Sequence, residues 1–265
     1  MTMKEKEPVM DGKDALGGRR AGEQVRREAA RRMERRGRAG AWTGRPQLAE
    51  EIVAWASRLG AVTADALADR EGISGASATA RLSAAARSGL LRRSRPLAGR
   101  PALFAATSAG MKACGEQGLE PCRVSAANAE HLIACACVAA RLERKLPCAR
   151  IAGERELRRQ ERELGGALAS ATLMGAGRRV AHRPDLVIWG RGETEPPIAV
   201  EVELSVKSAR RLEKICTAWA RCRQVAGVIY VVSPVSEQAV LRAVCACSAE
   251  RSIAILALDE LLAQR

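Results

Sequence analysis

A stretch of alternating apolar and charged residues between Ala181 and Ile215 constrains the fold of this chain most. It reads "AHRPDLVIWGRGETEPPIAVEVELSVKSARRLEKI". Within "AVEVELS" the alternation has a period of two, which is typical of a strand with two different faces. One face carries apolar side chains, and the other carries Glu201 and Glu203. Charged residues inside a strand need neutralising partners or solvent, so these acids are candidate functional residues.

Short strands and helices alternate through the last part of the chain. The strands predicted are "RRVAHRPDLVIWG", "PIAVEVELS", "VAGVIYVVSP" and "SIAILALD", with helices over about 206–223 and over "SEQAVLRAVCACS". The helical segments "SAANAEHLIACACVAARLERKL" and "GERELRRQERELGG" precede them. This pattern predicts an α/β domain over residues 125–265. The turn "GRGETEPP" fits a hairpin between the first two strands, so we expect a mixed sheet.

Residues 47–124 have a helical pattern followed by a basic hairpin. Leu48, Ile52, Trp55 and Leu59 recur on one helix face, Thr63 is suited to cap a second helix, and "SGASATARLSAAARSGLL" forms a third. Two short strands follow in "LRRSRPLAGRPALFAAT". This arrangement resembles a winged helix-turn-helix of the kind found in MarR-like regulators. The sequence therefore predicts two domains, one α+β and one α/β.

The charge balance favours a polyanionic partner. The chain has 44 Lys and Arg against 30 Asp and Glu, a formal net charge of +14, and nucleic acid is the leading candidate. In a winged helix the third helix enters the major groove and the hairpin reaches flanking phosphates. Protein docking or dimerisation is the alternative use of such a module. The predicted DNA contacts are Ser77, Arg81, Arg87, Arg92, Arg93, Arg95 and Arg100.

The first 46 residues are predicted to be a basic disordered tail. They are rich in charge and glycine and poor in large apolar residues, so they cannot offset the entropy of ordering. Three interpretations of this segment remain open: nonspecific phosphate contact, a solvated leader, and an overcalled start codon upstream of Met33. The chain shows neither a bilayer-length apolar run nor a signal-peptide core, and a cytoplasmic location is expected.

The nine cysteines lie mostly in helix-like apolar segments. We interpret them as reduced core thiols, because a secreted disulfide framework has a different, loop-rich setting. His131, Cys135 and Cys137 are residue types that bind zinc. However, the sequence has no CxxC pairs and shows no evident fourth ligand, so the core interpretation is preferred.

A cluster of carboxylates is expected where the first two strands of the sheet pair. If "RPDLVIW" runs beside "AVEVELS", Asp185 lies near Glu201, and the two charges repel unless a cation or a basic partner neutralises them. Oxygen ligands of this kind suit Mg or Mn, which can polarise a phosphodiester. The alternative is that these are solvated acids on the wet face of a sheet.

The motifs "PD" and "EVE" resemble the PD-(D/E)xK nuclease superfamily, whose core is a restriction-endonuclease-like αβββαβ unit. Together with "GERELR", "AVEVELSVKSARRLEKI" and "VIYVV", they are similar to the replication-relaxation family over about residues 47–260. The resemblance implies that Asp185 and Glu201 bind metal, and that Glu154 or Glu156 is the acidic residue of the preceding helix.

One departure from the family pattern concerns the catalytic lysine. Glu203 stands where that lysine is expected, two residues after Glu201. Lys207, at the start of a helix for which Ser205 is a plausible N-cap, would supply the ammonium instead. Glu203 would then be an additional catalytic and metal-binding residue. Alternatively, catalysis has been lost.

Two functions are therefore open. The first is a metal-dependent DNA endonuclease or nicking factor of plasmid or mobile-element replication or mobilisation. The second is a noncatalytic DNA-binding regulator of replication or transcription with a degenerate nuclease fold, which the missing lysine favours. Expected partners are double-stranded DNA and replication or mobilisation proteins, and a homodimer is compatible with either function.

Overall fold

The computed structural model describes residues 45–175, 177–190, 192 and 195–263. The predicted basic tail over residues 1–46 falls almost wholly outside them. The described helices are α1 (Arg45–Leu59), α2 (Ala64–Glu71), α3 (Gly75–Arg87), α4 (Ser108–Ala113), α5 (Ala126–Lys145), α6 (Glu154–Leu164), α7 (Ala209–Ala220), α8 (Pro234–Ala246) and α9 (Leu258–Ala263). None of these helices has both the length and the hydropathy that crossing a bilayer requires.

Three sheets complete the described structure, and their strands are short. The strands are β1 (Leu91–Ser94), β2 (Leu103–Ala106), β3 (Arg150–Gly153), β4 (Ala171–Gly175), β5 (Arg178–His182), β6 (Leu186–Trp189), β7 (Ile198–Glu203), β8 (Gly227–Val232) and β9 (Ile253–Ala257). Strands β1 and β2 form one hairpin and β4 and β5 another, while the other five make one sheet.

The first three helices form as their sequence signals predict. Helix α1 ends before Gly60, whose positive φ of 97° is accessible to glycine at little cost. The Thr63 hydroxyl accepts a hydrogen bond from the backbone N–H of Ala66 at 3.1 Å and caps α2. Val62, between these helices, forms an antiparallel bridge with Phe104 of β2. The β1–β2 hairpin is thereby fixed to the helices.

Helix α3 buries one stripe and exposes the other. Ala78, Leu82 and Ala85 are buried, as the periodicity predicts. Arg87 lies at the exposed end of the helix, which leads through a turn into β1. The polar stripe of α3 and the outer side of the hairpin therefore face solvent together.

The five-stranded sheet has the order β3–β6–β7–β8–β9. Strands β3, β6 and β7 pair antiparallel, and β7, β8 and β9 pair parallel. The prediction of a mixed sheet is confirmed. The crossovers between the parallel strands are α7 and α8, which is the usual solution for parallel pairs. Strand β3 and the β4–β5 pairing were not predicted.

Helix α7 begins later than the sequence suggests. The prediction that Ser205 caps it is wrong, because the N-cap is Ser208 and the helix starts at Ala209. The preceding residues form an irregular connection in which Lys207 turns back onto the carboxylate of Glu203. Lys207 therefore precedes the helix and lies outside its first turn.

A continuous apolar core joins the segments on either side of residue 125. Side chains of α1, α3, α5, β6 and β7 belong to one buried cluster. Polar contacts follow the same path: the Trp55 indole N–H of α1 donates to Glu143 Oε1 of α5 at 3.0 Å. At Gly153 the backbones come so close that an added Cβ would lie 2.7 Å from the carbonyl oxygen of Arg58. The two predicted domains are thus packed as one body.

Candidate functional site

Asp185 and Glu201 meet at the start of β6, as expected from their strands. Leu186 pairs with Val200 in the antiparallel register of β6 and β7, so the residue before Leu186 lies beside the residue after Val200. The Asp185 charge contributes to raising the pKa of Glu201. The sequence prediction of neighbouring carboxylates therefore has a counterpart in the structure.

Asp185 uses both carboxylate oxygens and its backbone carbonyl. Oδ1 lies 2.9 Å from Nε2 of His131 on α5. Oδ2 accepts a hydrogen bond from the Val202 backbone N–H at 2.7 Å. The carbonyl oxygen accepts from the Glu154 N–H at 2.9 Å, which connects Asp185 to the start of α6. The side chain is therefore fixed by contacts on two sides.

Glu201 is buried, which excludes the interpretation of a solvated acid on a wet sheet face. Only 7% of the residue is exposed. Oε1 accepts from the Trp219 indole N–H at 2.9 Å and lies 2.8 Å from His182 Nε2. Burial is the largest cause that raises the pKa of Glu201, the hydrogen bond with His182 opposes it, and the Asp185 charge adds to it.

Glu203, which is buried, and Lys207, which is half-buried, form an ion pair at the end of β7. The Lys207 ammonium donates to Glu203 Oε2, and the glutamate is 4% exposed. The Glu203 carbonyl accepts from the Ser236 hydroxyl at 2.6 Å, which ties the end of the strand to α8. The structure thus brings together Glu203, which occupies the position of the usual lysine, and Lys207, which was predicted to supply the ammonium instead.

The acids of α6 have partners of their own. Arg150 donates to Glu156 Oε1 at 2.7 Å, and Gln160 donates to the same oxygen at 3.3 Å. Glu154 accepts from Arg158 one turn later. Glu156 is buried, yet these contacts hold it against α6 and β3.

The predicted carboxylates do not form an oxygen-only cluster. Across the described ranges, no three of Asp185, Glu201, Glu203 and Glu156 place ligand oxygens within 4.8 Å of one another. The arrangement as it stands does not fit a shared hard cation, which needs several oxygens in one shell. Binding of Mg or Mn stays a prediction.

A different group does meet that spacing: His131, Cys135 and Asp185. Cys135 Sγ lies 3.4 Å from His131 Nε2. The hydrogen bond with Asp185 is the largest cause that raises the pKa of His131, while burial opposes it. Burial also raises the pKa of the Cys135 thiol well above its ordinary value. Among the described residues, this group combines nitrogen, sulfur and oxygen donors.

Sequence reasoning missed that both histidines contact predicted acids. The chain contains two, and each contacts a carboxylate of the predicted site: His131 contacts Asp185, and His182 contacts Glu201. The scarcity of histidine was the available signal. Cys137, grouped with His131 and Cys135 at first, instead has a side-chain hydrogen bond with Thr63, and burial raises its pKa to about 11.

The predicted DNA-contacting residues lie mainly on the exposed surface of α3 and the hairpin. An open groove of about 470 Å³ runs between these elements, and three arginines line it. The groove is lined by Ser83, Ala86, Arg87, Leu91, Arg92 and Arg93. Arg95 is also exposed. Within the described ranges, none of the four arginines Arg87, Arg92, Arg93 and Arg95 is paired with a carboxylate.

The remaining predicted contacts are engaged elsewhere or are less exposed. Arg81 is partly buried and pairs with Glu71 at 3.4 Å. Arg100 is exposed but pairs with Glu130 of α5 at 2.6 Å. Ser77 is exposed, and its hydroxyl accepts from Ser74.

Comparisons of the chain with protein-family models, curated proteins and solved structures found no significant match.

Proposed function

We propose that this chain binds double-stranded DNA through α3 and the β1–β2 hairpin, acting as a winged helix-turn-helix. The observation that carries this proposal is a row of exposed arginines beside an open groove, none of which pairs with a carboxylate of the described residues. Arginines with acidic partners are already neutralised, whereas unpaired ones gain most from phosphates. The element order α1, Val62 bridge, α2, α3, β1, β2 supports the winged-helix assignment.

The contact chemistry favours the DNA backbone over the bases. Arg87, Arg92 and Arg93 surround one groove, and guanidinium groups bind phosphate in a bidentate manner. The exposed surface of α3 is rich in Ala and Ser, which present few hydrogen-bond donors to base edges. Binding should therefore be salt-sensitive and tolerant of sequence.

We further propose that the mixed-sheet part is a nuclease-like domain of the replication-relaxation type, used in replication or mobilisation of plasmids or mobile elements. The neighbouring strands β3, β6, β7 and β8, with α7 before β8, are compatible with the sheet of an αβββαβ core in which α6, β4 and β5 are inserted between β3 and β6. Each predicted acid already has an internal basic or N–H partner. This favours DNA binding without cleavage.

The test is the salt dependence of DNA binding by the full-length chain. Replacement of Arg92, Arg93 and Arg95 by Ala should weaken binding to a duplex of arbitrary sequence. Each lost phosphate contact lowers the logarithmic salt slope by about 0.9, so three lost contacts lower it by up to about 2.7. Fluorescence anisotropy at several salt concentrations measures both quantities.

A matched variant separates local contact from total charge. Arg221, Arg242 and Arg251 are exposed and lie in the C-terminal half. Their replacement by Ala removes the same three charges and should leave the slope nearly unchanged. Equal losses in both triple variants would mean that binding is a general charge effect, and the proposal would fail.

Cleavage is the second candidate, and the placement of Asp185 beside Glu201 favours it. Supercoiled plasmid incubated with the protein and either Mg or Mn provides the assay. Conversion to open circles by the unaltered chain, lost in Asp185→Asn, would establish an endonuclease. An unchanged plasmid with both ions would leave the noncatalytic function.

A further inference from the structure

We propose that His131, Cys135 and Asp185 form a binding site for a transition-metal ion of the zinc class. This inference does not depend on DNA binding or cleavage. It starts from the spacing of the three donor atoms, which lie within 4.8 Å of one another on two different parts of the fold.

The helix supplies two of the donors in register. His131 and Cys135 are four residues apart on α5, so their side chains lie on the same helix face one turn apart. Helix α5 is 20 residues long and packs in the core, which fixes the relative position of these donors. Asp185, just before β6, approaches that face from the sheet.

Two of the three donor–donor distances are close to those that a metal requires, and the third, between Cys135 Sγ and the Asp185 carboxylate, is within 4.8 Å. Metal–ligand bonds of about 2.0–2.3 Å at tetrahedral angles place ligand atoms about 3.3–3.7 Å apart. The Cys135 Sγ to His131 Nε2 distance of 3.4 Å already fits. The His131 Nε2 to Asp185 Oδ1 distance of 2.9 Å has to widen by about 0.4 Å, a small rotation of an exposed imidazole.

The donor set selects the class of ion. A thiolate and an imidazole suit zinc and related transition metals, whereas Mg and Mn prefer oxygen. This site therefore differs from the hard-cation site expected from the sequence, although it shares Asp185 with it. The Val202 N–H bond to Oδ2 orients the carboxylate, as outer-shell donors do in metal sites.

The site is accessible from solvent on the side of His131. The His131 side chain is 43% exposed, while Cys135 is buried. Three protein ligands beside solvent leave the fourth position to water or another small ligand, the arrangement of reactive zinc sites.

The same residues do not form a nucleophilic Cys–His–Asp triad. In a triad the acid and the nucleophile contact opposite nitrogens of the imidazole. Here Cys135 Sγ and Asp185 Oδ1 both contact Nε2. Both atoms therefore lie on the Nε2 side of the imidazole, within reach of one ion bound at that nitrogen.

Cobalt(II) titration of the full-length, reduced protein tests the proposal, because this ion replaces zinc and reports its ligands by absorption. We expect about one equivalent to bind, with visible d–d bands and a near-ultraviolet thiolate-to-cobalt band, and zinc to displace it. Cys135→Ala should abolish the thiolate band and weaken binding at least tenfold, as losses at metal sites do.

Cys137→Ala is the matched control, since Cys137 is two residues away and hydrogen-bonds with Thr63. It should keep the spectrum. His131→Ala alters an exposed side chain, so it provides a second ligand test if the buried Cys135 variant fails to fold. Absence of binding by the unaltered chain, or an equal signal in the Cys135 or His131 variant, would overturn the site.

Discussion

The contact at Gly153 gives a sharp test of whether the two halves are packed as one body. Gly153 has φ −87° and ψ 164°, which alanine adopts without strain. The main obstacle to Gly153→Ala is steric, since its Cβ would lie 2.7 Å from the Arg58 carbonyl oxygen and 3.4 Å from Leu59 Cα. Backbone atoms cannot rotate away as a flexible side chain can.

Overpacking of this kind costs about 1–3 kcal/mol. For a body of this size each kcal/mol lowers the melting temperature by about 2–4 °C, so the expected loss is about 2–12 °C. Differential scanning calorimetry of the purified variant and of the unaltered chain measures the two melting temperatures. Gly75→Ala is the control, because nothing lies within 4 Å of its added Cβ and it should stabilise α3 slightly. An unchanged melting temperature for Gly153→Ala would refute the close approach of α1 and β3.

Two further predictions concern the candidate site and the thiols. Lys207→Met leaves the buried Glu203 without its cation, so we expect the free energy of unfolding, measured by chemical denaturation, to fall by about 1–3 kcal/mol. If the chain nicks plasmid, the variant should lose nicking and keep its affinity for DNA. Unaltered stability would contradict the ion pair. Burial raises the pKa of Cys216 to about 11, so only about 0.1% is thiolate near pH 8, whereas Cys148 is exposed. Alkylation mapped by mass spectrometry should modify the exposed Cys148 and Cys245 before Cys216, and early modification of Cys216 would contradict the packing around it.

Much of the fold followed from local signals in the sequence. The apolar spacing of α1, the Thr63 cap and the alternation in β7 each act within a few residues, so they can be read from the chain alone. The buried stripe of α3 was predicted for the same reason. The general assignment of a mixed α and β fold is confirmed, while the winged-helix and nuclease-like assignments stay predictions.

The errors arose where tertiary contacts decide the structure. Strand β3 has four residues and passes directly into α6, so it shows no periodicity of its own. Helix α7 starts only after Lys207, which pairs with Glu203 across the end of β7. The alternation of β7 also could not show that Glu201 is covered by Trp219 and His182, which approach from other elements.

The cysteine interpretation shows the same limit. Cys135 and Cys216 are buried, as expected for core thiols, but Cys148 and Cys245 are exposed. The sequence grouped His131 and Cys135 with Cys137 as residue types that bind zinc, yet it could not show that Asp185, far along the chain, lies beside the first two.

The continuous core from α1 to β7 also fixes a length. Because α3 and Asp185 belong to the same packed body, the distance between the hairpin groove and the acidic end of the sheet is constant. The two surfaces would therefore meet a bound duplex at a fixed spacing. A flexible linker between the two parts would instead give a range of spacings, and the protected region in a footprinting experiment would have no sharp boundary. A rigid body predicts that any protection, bend or cut by the C-terminal half falls at one defined number of base pairs from the arginines, always on the same side.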